Sequence, residues 1–123
     1  MDAEELKKRT KSFGIRVIKL VEALPNSNTA RIIGNQLLRS GTSIGANYHS
    51  ALRARSKTDF ISKIGIVIEE TDESLYWMEI LAEINLVSKE RLSELMQEAN
   101  ELTSIFITTV KSTRENMTRK ART

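Results

Sequence analysis

The strongest constraint on the fold is the spacing of apolar residues, which recur every three or four positions along most of the chain. Such spacing is typical of amphipathic α-helices, whereas half-buried strands show alternation. The pattern occupies four segments, at about residues 4–24, 28–55, 58–86 and 89–114. Sustained alternation and Asn-Gly or Asp-Gly hairpin turns are missing from the sequence. The sequence therefore predicts four helices and no sheet.

Turn and cap residues separate these four segments. The only proline, Pro25, begins Pro25-Asn26-Ser27-Asn28, which is a strong turn signal. Ser56-Lys57-Thr58-Asp59 matches a capping box, in which a hydroxyl and a carboxylate three residues later satisfy free N–H groups at a helix start. Ser88 is expected to cap the last helix.

Short connections make sequential helices pack antiparallel. We therefore predict an all-α fold, an up-down-up-down antiparallel four-helix bundle formed by residues 1–117. The apolar pattern fades after about Lys111, so residues 118–123 are predicted to form a basic flexible tail.

All five glycines fall within predicted helices, where each costs about 1 kcal/mol relative to alanine. This placement indicates close approach between helices. An alternative is that Gly41 and Gly45, which lie among the hydroxyl residues Ser40, Thr42 and Ser43, bend the second helix.

Length and composition restrict the class of protein. A chain of 123 residues fits one domain with its own core. Cysteine is absent, which excludes disulfides and thiolate chemistry and fits a reducing compartment. No apolar run is long enough to span a bilayer, and the acidic start lacks the apolar region of a secretory signal. We expect a cytoplasmic protein without a membrane partner.

Catalytic and cofactor-binding patterns are not found. A di-iron bundle needs Glu-x-x-His on two helices, but His49 is the only histidine and no glutamate lies three residues before it. The same histidine has no recognised nucleophile context, and glycine-rich phosphate-binding loops are absent. We predict that the protein is not an enzyme and has no cofactor, metal or catalytic residues.

Charge is distributed unevenly along the chain, although the net charge is only +3. Residues 26–57 carry five basic residues and no acidic one, whereas residues 58–87 carry seven acidic residues and one basic residue. This contrast indicates either complementary pairing within or between chains, or a cationic face for an anionic partner.

The basic residues of the second segment are candidates for contact with nucleic-acid phosphates, because guanidinium groups without a local carboxylate suit that role. They are Arg31, Arg39, Arg53, Arg55 and Lys57. The alternative is that they pair with the acidic residues of the third helix.

A second apolar face is predicted opposite the core-facing stripes of the first and third helices. Its residues are Ile15, Ile18, Ile66, Trp77, Ile80 and Ile84. Exposed apolar patches usually mark an interface, so the pattern favours a homo-oligomer. The alternative is that a wide helical face simply extends further into the core.

Three stretches, 36–48, 54–70 and 73–81, together resemble a known family. The first reads Gln-Leu-Leu-Arg-Ser-Gly-Thr-Ser-Ile-Gly-Ala-Asn-Tyr, and the second contains Ser56-Lys57-Thr58-Asp59-Phe60. They are similar to the bacterial four helix bundle protein family, also called the 23S ribosomal RNA intervening-sequence protein family. The chain departs from the family at two positions. Many members have proline where this chain has Gly45, and many have an acidic residue near the position of Ser50.

The resemblance implies a bundle that assembles as a ring-like homopentamer. A related branch comprises accessory proteins of diversity-generating retroelements, which bind nucleic acid and a reverse transcriptase through basic surfaces. The resemblance adds one basic residue, Lys63, to the candidate contacts and also includes Arg39, Arg53, Arg55 and Lys57.

Two functions remain as hypotheses. The first is a non-catalytic oligomeric bundle that binds RNA or DNA through a basic face without strong sequence specificity. The second is a protein-interaction scaffold, in which the arginines pair with the acidic residues of the third helix across subunits and nucleic acid has no role.

Overall fold

The protein forms four helices, and its structure, a computed structural model, describes residues 1–122. The helices are α1 (Ala3–Glu22), α2 (Asn28–Ala51), α3 (Lys57–Glu83) and α4 (Lys89–Arg122). Each helix packs extensively against the next in sequence, and α1 touches α4 much less extensively. The prediction of an all-α antiparallel four-helix bundle is confirmed.

Side-chain caps explain where the helices begin. In every case an oxygen of the cap residue accepts a hydrogen bond from the backbone N–H three residues later. The four cap residues are Asp2, Ser27, Ser56 and Ser88. The caps predicted at Ser56 and Ser88 are therefore confirmed.

The capping box at the start of α3 extends one residue further back than the usual pattern. The Ser56 hydroxyl accepts from the Asp59 amide at 3.0 Å, and the Asp59 carboxylate accepts from the Arg55 amide at 3.2 Å. The bond from Arg55, followed by the hydrogen bond from Lys63, lowers the pKa of Asp59. α2 ends at Ala51 and not at the predicted residue 55. The amides of Arg53 and Ala54 donate to carbonyls three residues back instead of four, and the amide of Arg55 donates to Asp59.

The end of α3 also differs from the prediction, at Glu83 rather than residue 86. Asn85 has a φ of 60°, the left-handed conformation that asparagine tolerates better than most residues. Past this residue the Leu86 amide donates to the Leu81 carbonyl at 3.0 Å, which satisfies an acceptor at the helix end.

The largest difference concerns α4, which continues through Arg122 although it was predicted to end near residue 114. The segment 115–122 contains no proline or glycine and is rich in residues of good helix propensity. A fading apolar pattern therefore marked the end of the packed face and not the end of the helix. Flexibility of this segment stays a prediction, and Thr123 lies outside the described residues.

The core runs along the bundle axis and contains side chains from all four helices. The largest fully buried ones include Phe13, Leu37, Ile64, Leu102 and Phe106. The ring centroids of Tyr48 on α2 and Phe106 on α4 lie 5.2 Å apart, so the two helices are in contact through these rings. A polar contact also lies inside, because the buried Ser74 hydroxyl donates to the Ser40 hydroxyl at 3.0 Å between α3 and α2.

Glycines bring α1 and α2 together. A Cβ atom added to Gly41 would lie 2.8 Å from both Val17 methyl groups, and one added to Gly45 would lie 3.3 Å from the Thr10 carbonyl. Gly65 differs, since a Cβ there would meet no atom within 4 Å. The contacts at Gly41 and Gly45 favour close approach over a bend as the reason for these residues.

Candidate nucleic-acid interface

Arg39 is neutralised by its own chain. Its guanidinium donates to the carboxylates of Glu70 and Glu73 on α3, with the Glu70 ion pair at 3.3 Å. The hydrogen bond to Glu73, together with the charge of Glu70, raises the pKa of Arg39. The alternative pairing with α3 therefore applies to this residue, but within one chain. Arg39 is a poor candidate for phosphate contact.

Two further candidates also lie apart from the others. Lys63 pairs with Asp59 one turn away on α3, at 3.4 Å. Arg31 lies near the start of α2, where its guanidinium donates to the Asn28 side chain at 2.6 Å. The predicted basic face is therefore not continuous along α2.

The remaining three candidates lie close together in sequence: Arg53 and Arg55 are on the turn between α2 and α3, and Lys57 is the first residue of α3. All three side chains are exposed. None of them takes part in any ion pair found within residues 1–122. Their charges thus face solvent at one end of the bundle.

Lys120, from the last turns of α4, lies close to Lys57. The antiparallel arrangement brings the C-terminal part of α4 beside the first turns of α3, where Thr58 and Ile61 share a groove with Arg114 and Met117. The Lys120 ammonium is close enough to Lys57 to lower the pKa of Lys57 by charge repulsion. We refer to Arg53, Arg55, Lys57 and Lys120 as the cationic end surface.

Sequence reasoning did not find the contribution of α4, because it assigned residues 118–123 to a flexible tail. A signal was available, since residues 111–122 hold five basic residues, one acidic residue and no helix breaker. A helix continued through this segment and packed antiparallel on α3 would place its basic end beside Lys57.

Within residues 1–122, no three acidic or histidine side chains converge as the ligands of a metal ion would. None of the four helices, as far as Arg122, combines the length and apolar character that crossing a membrane requires.

The predicted second apolar face is divided by the structure. Four of its residues are exposed at the surface of the single chain: Ile15, Ile18, Ile66 and Ile84. The other two, Trp77 and Ile80, are half-buried at the margin of the core. An extended core explains the burial of the latter two, whereas the exposure of the first four is left without a partner in the chain.

The exposed isoleucines have surroundings of opposite charge. Ile15 and Ile18 line a groove between α1 and α2 of about 580 Å³, which also contains Lys8 and Lys11. Exposed acidic side chains and a tyrosine lie along α3, the helix of Ile66 and Ile84: Glu69, Asp72, Tyr76 and Glu83. The chain thus carries one basic and one acidic apolar surface, on different helices.

These features define a class: an all-α bundle of four sequential, antiparallel helices with a cationic end. Residues 4–108 match the model of the 23S rRNA-intervening sequence protein family, and the chain belongs to that family.

A crystal structure from Bacteroides thetaiotaomicron, described as a protein with unknown function from the S23 ribosomal protein family, is similar throughout. The sequences are 32% identical, the match covers 90% of this chain and 99% of that one, and the TM-score is 0.84. No curated protein matches this chain. The resemblance to this family that was inferred from the sequence is confirmed.

Proposed function

We propose that the protein is a non-catalytic, oligomeric bundle that binds RNA or DNA through the cationic end surface, without strong sequence specificity. The observation that carries this proposal is the exposure of Arg53, Arg55 and Lys57, which take part in none of the ion pairs found within residues 1–122, with Lys120 near Lys57. Bringing like charges together costs free energy, and a polyanion that spans them recovers it.

The chemistry of the surface suits the nucleic-acid backbone and not the bases. Phosphate contacts fix a protein on nucleic acid without reading sequence. Four basic side chains are expected to give a dependence on log salt with a slope of about −3, since each contact contributes about −0.7 to −0.9.

A salt titration of binding tests the proposal, with fluorescently labelled RNA and DNA of the same sequence as probes. The double variant Arg53→Gln/Arg55→Gln is expected to weaken binding and to reduce the slope by about 1.5. Arg39→Gln is the matched control, because that arginine is already paired with Glu70 and Glu73. No binding at low salt, or equal losses in both variants, would reject the cationic end surface.

The proposed oligomer uses the two apolar surfaces of opposite charge. The groove of Ile15 and Ile18 on α1 would receive part of the outer face of α3 from a second copy, a face along which Ile66 and Ile84 lie about 27 Å apart. Because the two surfaces differ, the contact is head-to-tail, which closes into a ring or continues as a filament. A ring of five copies, as the family resemblance implies, is one such closure.

Mixing two variants tests this arrangement. Ile15→Asn/Ile18→Asn and Ile66→Asn/Ile84→Asn should each be monomeric alone, since each lacks one surface. Mixed together they should form a one-to-one dimer through their intact surfaces, measured by light scattering. If the contact were isologous, with the same surface used by both copies, one of the two variants would stay fully assembled. If the wild-type protein were monomeric, the proposal of an oligomer would be rejected.

A scaffold without a nucleic-acid role is the second candidate, and the basic groove on α1 and the exposed acidic residues of α3 favour it. Arg39 does not take part in such pairing between copies, because it is already paired with Glu70 and Glu73 of its own chain. A reverse transcriptase, which the resemblance implies for a related branch, is a protein partner of this kind. The salt titration of RNA and DNA binding distinguishes the two functions. The scaffold hypothesis predicts that the protein assembles but binds neither RNA nor DNA.

A further inference from the structure

An open groove lies between α3 and the C-terminal part of α4, on the outer side of the bundle. Its volume is about 610 Å³, and its apolar floor consists of Ile68, Ile107 and Val110. Ile107 is 52% exposed, among the largest values for an aliphatic side chain in this protein. An aliphatic floor in a concave site favours burial by an apolar partner.

The rim of this α3–α4 groove is strongly basic. It contains Lys111, Arg114, Arg119 and Arg122, with Glu115 as the acidic residue on the rim. None of the ion pairs found in residues 1–122 involves these four basic side chains. The groove therefore combines an apolar centre with an edge on which four basic side chains outnumber one acidic side chain.

We propose that the α3–α4 groove binds an acidic amphipathic α-helix of another protein. A groove between two packed helices runs along their axes and matches the shape of a third helix. Leucine-sized side chains at positions i, i+3, i+4 and i+7 would bury Ile107 and Val110, and flanking glutamates would meet Lys111 and Arg114.

Other occupants fit the groove less well. Its floor offers no aromatic ring, so the stacking that usually holds unpaired bases is not available there. Its concave form keeps the floor away from a flat bilayer surface. The inference is independent of nucleic-acid binding, because the cationic end surface uses other residues.

Fluorescence anisotropy tests the proposal with a labelled peptide of about 18 residues, the length of five helical turns. The peptide carries leucine at helical spacing and glutamate beside it, and a scrambled peptide of the same composition keeps the charge but not the apolar stripe. We expect the patterned peptide to bind and the scrambled one to bind at least about tenfold more weakly.

Two variants assign the binding to this groove. Ile107→Asn should weaken the binding of the patterned peptide by about tenfold, because the peptide no longer buries a large part of an isoleucine side chain. Ile32→Asn is the matched control: Ile32 is 54% exposed on α2 and lies outside the groove. Arg114→Gln should weaken binding at low salt and less so at high salt.

Several results would overturn the inference. Equal binding of patterned and scrambled peptides would show attraction by charge alone. Equal loss in Ile107→Asn and Ile32→Asn would place the contact elsewhere. Binding of anionic phospholipid vesicles or of an oligonucleotide that depends on Ile107, with no binding of the peptide, would replace the helix by another occupant.

Discussion

The guanidinium of Arg9 in α1 donates two hydrogen bonds to the carboxylate of Glu98 in α4, at 2.9 and 2.5 Å. A third, at 3.1 Å, reaches Glu101 on the same helix. The hydrogen bond to Glu98 is the main reason that the pKa of Arg9 is raised. These bonds connect the two helices that touch each other least among neighbouring pairs.

Removal of this connection should destabilise the bundle. The side chains of Arg9 and Glu98 are only 24% and 18% exposed, so their two-point contact is worth more than a surface ion pair. We expect Arg9→Met to lower the free energy of unfolding by about 1–2 kcal/mol. Urea denaturation of Arg9→Met, Glu98→Gln and the double variant measures the coupling.

Lys7→Met provides the control for this prediction. Lys7 pairs with Glu4 at 3.6 Å in a more exposed position on the same helix. Its substitution should change stability by less than about 0.5 kcal/mol. If Lys7→Met and Arg9→Met lowered the free energy of unfolding equally, the Arg9–Glu98 contact would contribute no more than an exposed ion pair.

Two glycine substitutions should have opposite signs. A Cβ on Gly45 would press on the backbone of Thr10, which cannot move as a side chain can, so Gly45→Ala should lower stability by about 1–2 kcal/mol. A Cβ on Gly65 meets open space, so Gly65→Ala should raise stability by up to about 1 kcal/mol through helix propensity. Thermal unfolding of both variants checks this, and destabilisation by Gly65→Ala would contradict it.

Asp59 should contribute a pH-dependent part of the stability. Its pKa is lowered in the folded chain by the hydrogen bond from Arg55, so the contribution is present above the ordinary pKa of 3.8 and is lost as pH falls through the lowered value. We expect Asp59→Asn to reduce Tm at neutral pH and to converge with the wild type in acid. Ser56→Ala, which lacks a titrating group, should lose about 1 kcal/mol with little dependence on pH.

Lys57 should show the opposite electrostatic effect. Repulsion by Lys120 lowers the pKa of Lys57, so the charged ammonium destabilises the folded state, and this cost disappears as pH rises through the lowered pKa. Lys57→Gln should therefore raise Tm at neutral pH and low salt, and the gain should shrink with added salt. Lys63→Gln, which removes the pair with Asp59, should not raise Tm.

The helices and their starts could be predicted from the sequence because the signals are local. A hydroxyl at Ser56 and a carboxylate at Asp59 identify a helix start whatever the rest of the chain does. Likewise, the spacing of Phe13 and Val17 in α1 already indicated a buried stripe, and both residues are fully buried.

The site was less predictable because its contacts join distant segments. The pair of Arg39 with Glu73 and the approach of Lys57 to Lys120 depend on how antiparallel helices align, which periodicity within one helix does not determine. The end of α4 was missed for another reason. Past Lys111 the helix loses neighbours on one side, so its apolar stripe fades although the backbone stays helical.

The limited contact between α1 and α4 has a consequence for how the chain folds. Almost all packing lies between helices adjacent in sequence, so successive helical hairpins can form early and rapidly, without closing a long loop. Docking of the first helix on the last is then expected to be the late step. By the same reasoning, this is the boundary where partial unfolding of the native protein should begin, with Arg9 and Glu98 as its first bonds to break.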